Sequence, residues 1–160
     1  MRLIIAAVGR LKDAERDLCA RYVDRIGSSG RGVALGPLTV IETPESKAAN
    51  VGQRQAEEAA RLLKSAAGAA NVIVALDGRG QAHSSEAFAA LLARHRDRAA
   101  GTMAFLIGGP DGHGEAALAA AHLKLSLGPM TLPHGIARIV LAEQVFRAVT
   151  ILSGHPYHRA

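Results

Sequence analysis

Cysteine, tryptophan and aromatic residues are what this sequence has least of: one cysteine, Cys19, no tryptophan, and an aromatic share of 3%. A single cysteine excludes an intrachain disulfide and a cysteine-based zinc cluster, and it fits a reducing compartment. With so few rings, the 49% of the chain that is apolar must build its core from Ala, Val, Leu and Ile. Such a core suits helices packed on a sheet. No apolar run approaches the roughly 20 residues that cross a bilayer. The opening Met1-Arg2-Leu3-Ile4-Ile5-Ala6-Ala7-Val8 reads as a strand, not a signal peptide. A cytoplasmic protein with no membrane partner is expected, and its 160 residues predict one domain over 1–160.

Charge is not balanced. The formal net charge is +5, and 15 of the 19 basic residues are arginine. A polyanionic partner accounts for this, since the planar guanidinium fork matches phosphate. A genome biased toward Arg and Ala accounts for it equally well, so charge by itself decides nothing.

Along the chain, apolar runs alternate with helical periodicity. Residues 3–8 form a continuous apolar run closed by Gly9, as in a buried strand. In 12–26 the residues Leu18, Tyr22, Val23 and Ile26 recur at helical spacing, and the run Gly27-Ser28-Ser29-Gly30-Arg31-Gly32 is expected to stop that helix as a loop. Further strands are predicted at 38–41, 71–76, 102–107 and 123–127, and further helices at 53–66, 84–98, 115–121 and 134–152. The third strand is expected to end at Asp77-Gly78-Arg79-Gly80. The last helix carries more apolar surface than one sheet face needs, from Ile136 through Ile151. Strands joined by helical crossovers make an α/β fold, a mostly parallel sheet with helices on both faces, and such sheets bind ligands beyond the carboxyl ends of their strands. The loops after Leu76, Ile107 and Leu127 are therefore the places for a site.

Each of those loops has two readings. Gly108-Gly109-Pro110-Asp111-Gly112 lets a ligand press against backbone, or is a plain strand-to-helix turn. It is neither the dinucleotide fingerprint nor a Walker loop. The segment 127–134, with Gly128-Pro129 and Pro133, offers main-chain groups among apolar side chains, which suits an adenine, or is a turn that starts a helix. Asp77 is a ribose ligand or a solvated turn residue. The tail His155-Pro156-Tyr157-His158-Arg159 gathers two imidazoles, a phenol and a guanidinium. It can stack on a base and meet a phosphate, or be a loose terminus. Its histidines lack the Cys, Asp or Glu partners of a metal site, so no metal is expected.

Taken in order, the segments 106–112, 131–148 and 155–159, with Val8-Gly9-Arg10-Leu11-Lys12 and Leu76-Asp77-Gly78-Arg79-Gly80, closely resemble the RlmH family of SPOUT-class methyltransferases over essentially the whole chain. The resemblance implies an α/β fold with a deep C-terminal trefoil knot and a homodimer. It also implies methyl transfer from S-adenosyl-L-methionine to N3 of a pseudouridine in 23S ribosomal RNA, on the large subunit or the assembled ribosome. Topology rules argue against knots, so the knot rests on resemblance alone. The family's cofactor seat carries over to Leu76, Gly108, Leu127, Gly128, Pro129, Met130, Thr131 and Leu132. Dimerisation through the knot helices accounts for the wide apolar face of the last helix. One protomer's tail would then complete its partner's site.

Three positions depart from the family pattern: Phe146 stands where a tyrosine is frequent, Gly78 where an acidic residue is common, and Gly154 where an asparagine is frequent. A phenol at position 146 is thus not essential here. Because the donor's methyl group is already activated, the chemical task is to align the nucleophile and take up the N3 proton or stabilise its anion. The expected catalytic residues are His134, Arg138, Tyr157 and His158, with Arg138 as electrostatic stabiliser and His158 as base. His155, Tyr157 and Arg159 are expected to bind RNA. Two rivals remain open on sequence: a SPOUT methyltransferase acting on tRNA, and a non-catalytic ribosome-binding assembly factor.

Overall fold

The computed structural model describes residues 1–67 and 70–157. In chain order its elements are β1 (Arg2–Val8), α1 (Asp13–Ser29), a 3-10 turn (Gly30–Val33), β2 (Leu38–Thr43), α2 (Val51–Ala67), β3 (Val72–Ala82), α3 (Ser85–Asp97), β4 (Thr102–Ile107), α4 (Glu115–Ala120), β5 (Leu123–Ser126) and α5 (His134–Ser153). The strands form one five-stranded sheet in the order β2-β1-β4-β3-β5, and each pairing is parallel. β4 is buried along its whole length because strands flank it on both sides and helices cover both faces.

Strand alternation sorts the core into two layers. Leu3, Ile5 and Ala7 of β1 point to the face packed by α1, α3 and α5. Ala6 and Val8 point to the opposite face, under α2 and α4. Small side chains on that second face let α2 lie close, with Ala59, Leu62 and Ala66 as its contacts. Leu3, Ile5, Met103 and Phe105 are wholly shielded from solvent, and each such side chain contributes roughly 1.5–3 kcal/mol by leaving water.

Beyond shifts of one or two residues at other element ends, two boundaries differ from expectation. α1 runs on through Gly27 to Ser29 and tightens into the 3-10 turn, so no loop interrupts it at Gly27. The Ser28 hydroxyl donates back to the carbonyls of Asp24 and Arg25 at 3.2 and 3.0 Å, and the Leu35 amide closes on the Gly30 carbonyl at 2.9 Å. Likewise β3 does not end at Asp77. Leu125 of β5 faces both Leu76 and Gln81, so residues 77–80 bulge out of the ladder and the strand resumes beyond them. The bulge carries Asp77 and Gly78 to the sheet's carboxyl edge.

Among the described residues no helix is long and apolar enough to cross a membrane.

Candidate active site

The carboxyl ends of β3, β4 and β5 converge on a cleft of about 680 Å³. Its walls are Leu76 to Gly78, Ile107 to Pro110 with Gly112 and His113, Leu125, and the continuous segment Leu127 to His134, with Ala137 one turn into α5. All eight residues expected to hold a cofactor, Leu76, Gly108 and Leu127 to Leu132, border it. Thus the fold brings together three loops separated by long stretches of chain. The volume lies in the range of small-molecule sites, and leucines with main-chain groups make the kind of surface that holds a nucleoside flat.

Local sequence explains the shape of the glycine loop. The Gly112 amide donates to the Gly109 carbonyl at 2.9 Å, folding the loop back on itself. A Cβ on Gly108 would fall 2.9 Å from the backbone of Gly112, closer than real atoms pack, so this position needs glycine to keep the turn closed. On the other wall, the Ser126 hydroxyl and the Gly128 backbone bond to each other in both directions, at 3.1 and 3.2 Å. They fix where the 127–134 segment leaves β5.

Of the four residues expected to be catalytic, His134 borders the cleft. It is the first residue of α5, and its imidazole packs over Gly9 at the end of β1. Gly9 has φ +83, and a Cβ there would lie 3.1 Å from His134 Nε2 and 3.2 Å from Glu45 Oε1. The backbone at Gly9 therefore makes room for an imidazole and a carboxylate at one point.

Arg138, one turn further along α5, is not in the cleft. Its side chain is fully buried, with Nη1 donating to Glu42 Oε1 at 2.6 Å and Nη2 donating to the carbonyls of Val8 and Gly9 at 3.2 and 3.0 Å. A guanidinium so enclosed ties α5 to β1 and β2 and presents nothing to a ligand. Arg138, expected as a stabiliser of developing charge, is thus opposed by Glu42 and stands outside the cleft of its own chain.

The described part of the tail turns back along α5. Gly154 caps the helix in the left-handed conformation, and the His155 amide returns to the Thr150 carbonyl at 2.9 Å. Tyr157 then sits edge-on to Phe146 at 4.8 Å, under the Arg147 guanidinium at 5.2 Å, and its hydroxyl donates to Glu143 Oε1 at 3.3 Å. Glu143 is nine residues beyond His134, about 13 Å along the helix axis. Tyr157 and the exposed His155 are therefore not brought to the cleft of their own chain. His158 and Arg159 lie outside the described residues.

Comparison of the whole sequence places the chain in a known family. The family model described as "Predicted SPOUT methyltransferase" matches residues 1–158. The chain belongs to the SPOUT methyltransferase family. It is 53% identical over 161 residues to the ribosomal RNA large subunit methyltransferase H of Xanthobacter autotrophicus, covering 100% of both chains. It is 50% identical over 160 residues to the protein of that name from Rhizobium leguminosarum bv. trifolii, covering 99% of each. Among solved structures, a probable methyltransferase from Bordetella pertussis Tohama I matches with a TM-score of 0.57 at 15% identity, over 92% of this chain and 95% of that one. A probable methylase family protein from Haemophilus influenzae Rd KW20 matches with a TM-score of 0.54 at 13% identity, over 99% of this chain and 70% of that one. At such identities the two structures share the fold.

One side chain of this SPOUT methyltransferase that sequence reading did not single out, His113, and one that it read as a ribose ligand or a solvated turn residue, Asp77, both line the cleft. His113 follows the glycine loop and lines the cleft, and burial pushes its imidazole below the ordinary value. A histidine after a glycine turn gives no sequence signal of this, because its burial comes from the strands around it. Asp77 lines the cleft as well. Bonds from the Arg79 side chain and amide hold its carboxyl down at about 2, so it is a carboxylate at any working pH. Among the described residues no group of three or more His, Cys, Asp or Glu stands where it could hold a metal ion.

Proposed function

We propose that this SPOUT methyltransferase transfers the methyl group of S-adenosyl-L-methionine to N3 of a pseudouridine in the 23S RNA of the large ribosomal subunit, acting as a homodimer through its one domain. The observation that carries the reading is the cleft itself: eight residues from three separate loops, named by resemblance as a cofactor seat, border a single apolar space of suitable size. The relatives that are half identical over their whole length are named as methyltransferases of large-subunit ribosomal RNA. The C-terminal trefoil knot belongs to this proposal.

The residues fit the donor. Leu76, Leu127 and Leu132 would sandwich the adenine while main-chain groups of 127–132 bond its edge, and the tight turn at Gly108 keeps side chains out of that space. Bound there, S-adenosyl-L-methionine supplies an electrophilic methyl group that needs no further activation. The protein's own work is then to hold the base in line, exclude water and deal with one proton. His134, at the cleft beside Gly9, is the imidazole available from the same chain. In the proposed dimer the partner's tail adds the rest, with Tyr157 and His155 stacking or bonding the base, His158 as base, and Arg159 on a phosphate. Arg138 serves by fixing the start of α5, and so His134, against β1.

The deciding experiment is transfer of labelled methyl to intact ribosomes, isolated subunits and free ribosomal RNA from a strain lacking this protein, with donor binding measured in parallel. Label at a pseudouridine of the large-subunit RNA is expected, strongest on assembled particles, since a small composite surface needs the ribosome to complete it. Transfer to tRNA instead would move the substrate, and no donor binding at all would leave a non-catalytic ribosome-binding factor.

A further inference from the structure

Five of the six residues from Gly108 to His113 line the cleft: Gly108, Gly109, Pro110, Gly112 and His113. The Asp111 side chain turns the other way, onto α2. There Arg54 grips it with two bonds, Nε to Oδ2 at 2.6 Å and Nη2 to Oδ1 at 3.2 Å. The next residue, Gln55, donates to the Asp111 carbonyl at 2.7 Å, so the same loop residue is held by side chain and backbone together. One turn on, the buried Glu58 carboxylate lies directly beneath Gly109, where a Cβ would come within 2.8 Å of it. Positions i, i+1 and i+4 of one helix thus form the back of the loop.

Two of these side chains, Arg54 and Glu58, also reach a second segment. Arg54 Nη1 donates to the carbonyls of Ala48 and Ala49 at 3.2 and 3.3 Å, and Glu58 Oε1 accepts from the Ser46 amide at 2.9 Å. The connection 44–50 leaves β2 at the sheet's carboxyl edge, where the Glu45 carboxylate and the His134 imidazole both approach Gly9. α2 therefore links the glycine loop on one side of the cleft to the segment beside His134 on the other.

We propose that Arg54 is a positioning residue for the methyl-donor site: by turning Asp111 out of the cleft it holds the rest of the glycine loop against the donor. The inference rests on the reading of the cleft as the donor's seat. A paired fork suits this task, because a planar guanidinium fixes the direction of a carboxylate and a lysine ammonium does not. Both partners are only half-buried, so the pair orients the loop more than it holds the fold together.

The test uses the full-length protein and four variants: Arg54→Ala, Arg54→Lys, Asp111→Asn, and Arg96→Ala, which removes an ion-paired arginine on α3. Binding of S-adenosyl-L-methionine and of S-adenosyl-L-homocysteine is measured by calorimetry, with thermal melting and steady-state methylation of ribosomal RNA alongside. Arg54→Ala and Arg54→Lys should each weaken donor binding and raise its KM by about tenfold, with the KM for RNA unchanged and melting lowered by only a few degrees. Asp111→Asn, which keeps an acceptor of the same shape, should fall between them and the wild type, and Arg96→Ala should leave donor binding alone. Unchanged donor affinity in a folded Arg54→Ala protein would overturn the assignment. Equal losses in donor and RNA KM with a large drop in melting would do so too, by making the pair a general structural one. Failure of the wild type itself to bind the donor would instead remove the underlying reading, and this inference with it.

Discussion

Arg138 and Glu42 meet at 2.6 Å across 96 residues of sequence, joining the first turns of α5 to the end of β2. Glu42 Oε1 also accepts the Leu11 amide at 2.8 Å, so one carboxylate fastens the β1–α1 connection as well. Removing either partner strands the other. Glu42→Ala leaves a fully buried cation uncompensated, and Arg138→Ala leaves the Val8 and Gly9 carbonyls without their donor. Each should cost about 3–5 kcal/mol in urea unfolding. A loss under about 1 kcal/mol would put the pair with ordinary surface ion pairs and remove its anchoring role.

Gly9→Ala should lower turnover more than it lowers stability. The φ of +83 disfavours any side chain by about 1–2 kcal/mol, and the new Cβ would push on His134 Nε2 at 3.1 Å. The expected result is a kcat reduced about tenfold or more with the donor Kd within a factor of about two. Equal kcat in a folded Gly9→Ala protein would show that the His134 ring position is immaterial.

Acid should weaken the protein through His113. Burial holds its imidazole below the ordinary 6.5, so the unfolded chain binds the proton more readily than the folded one. The stabilisation is complete above about pH 6.5 and is lost as pH falls toward the folded value, at no more than about 1.4 kcal/mol per pH unit. His95 is pushed the same way by burial, so the comparison must be with His113→Gln. Its unfolding free energy should fall less between pH 7 and pH 5.5 than that of the wild type, and parallel profiles would rule His113 out as the source.

Tyr157→Phe keeps the edge contact with Phe146 and loses the hydroxyl's bonds to Glu143 and Tyr22 on a half-buried group, so stability should change by about 1 kcal/mol. If the tail completes a partner's site, Tyr157→Phe and His158→Ala will slow methyl transfer while donor binding stays normal. Full turnover in both variants would leave the tail without a chemical role.

The five strands and the three strand-end loops were legible because a parallel sheet buried on both faces writes itself as apolar runs punctuated by glycine. Leu76, Gly108 and the 127–132 segment could be singled out on that ground and by resemblance. What sequence could not supply was partnership at a distance. Asp77-Gly78-Arg79-Gly80 has turn chemistry, and it does turn, yet β3 resumes because Gln81 and Ala82 find β5, which local pattern does not encode. Arg138 was expected as an electrostatic stabiliser, and only the approach of β2 makes it a buried tie. Asp111, read as part of a glycine loop, points away from the cleft and is paired with an arginine 57 positions earlier.

The cleft draws one wall each from the ends of β3, β4 and β5, and its last wall closes only at the first turn of α5, with His134 and Ala137. During synthesis, therefore, a nascent chain has no such place for a small molecule until Ala137 has left the exit tunnel. Once the chain is complete, a ligand seated there acts as a late fastener across three distant parts of the polypeptide. At about 100 times its dissociation constant it would add roughly 2.7 kcal/mol against unfolding. Cellular supply of that ligand would then set how long each finished copy lasts, as well as how fast it works.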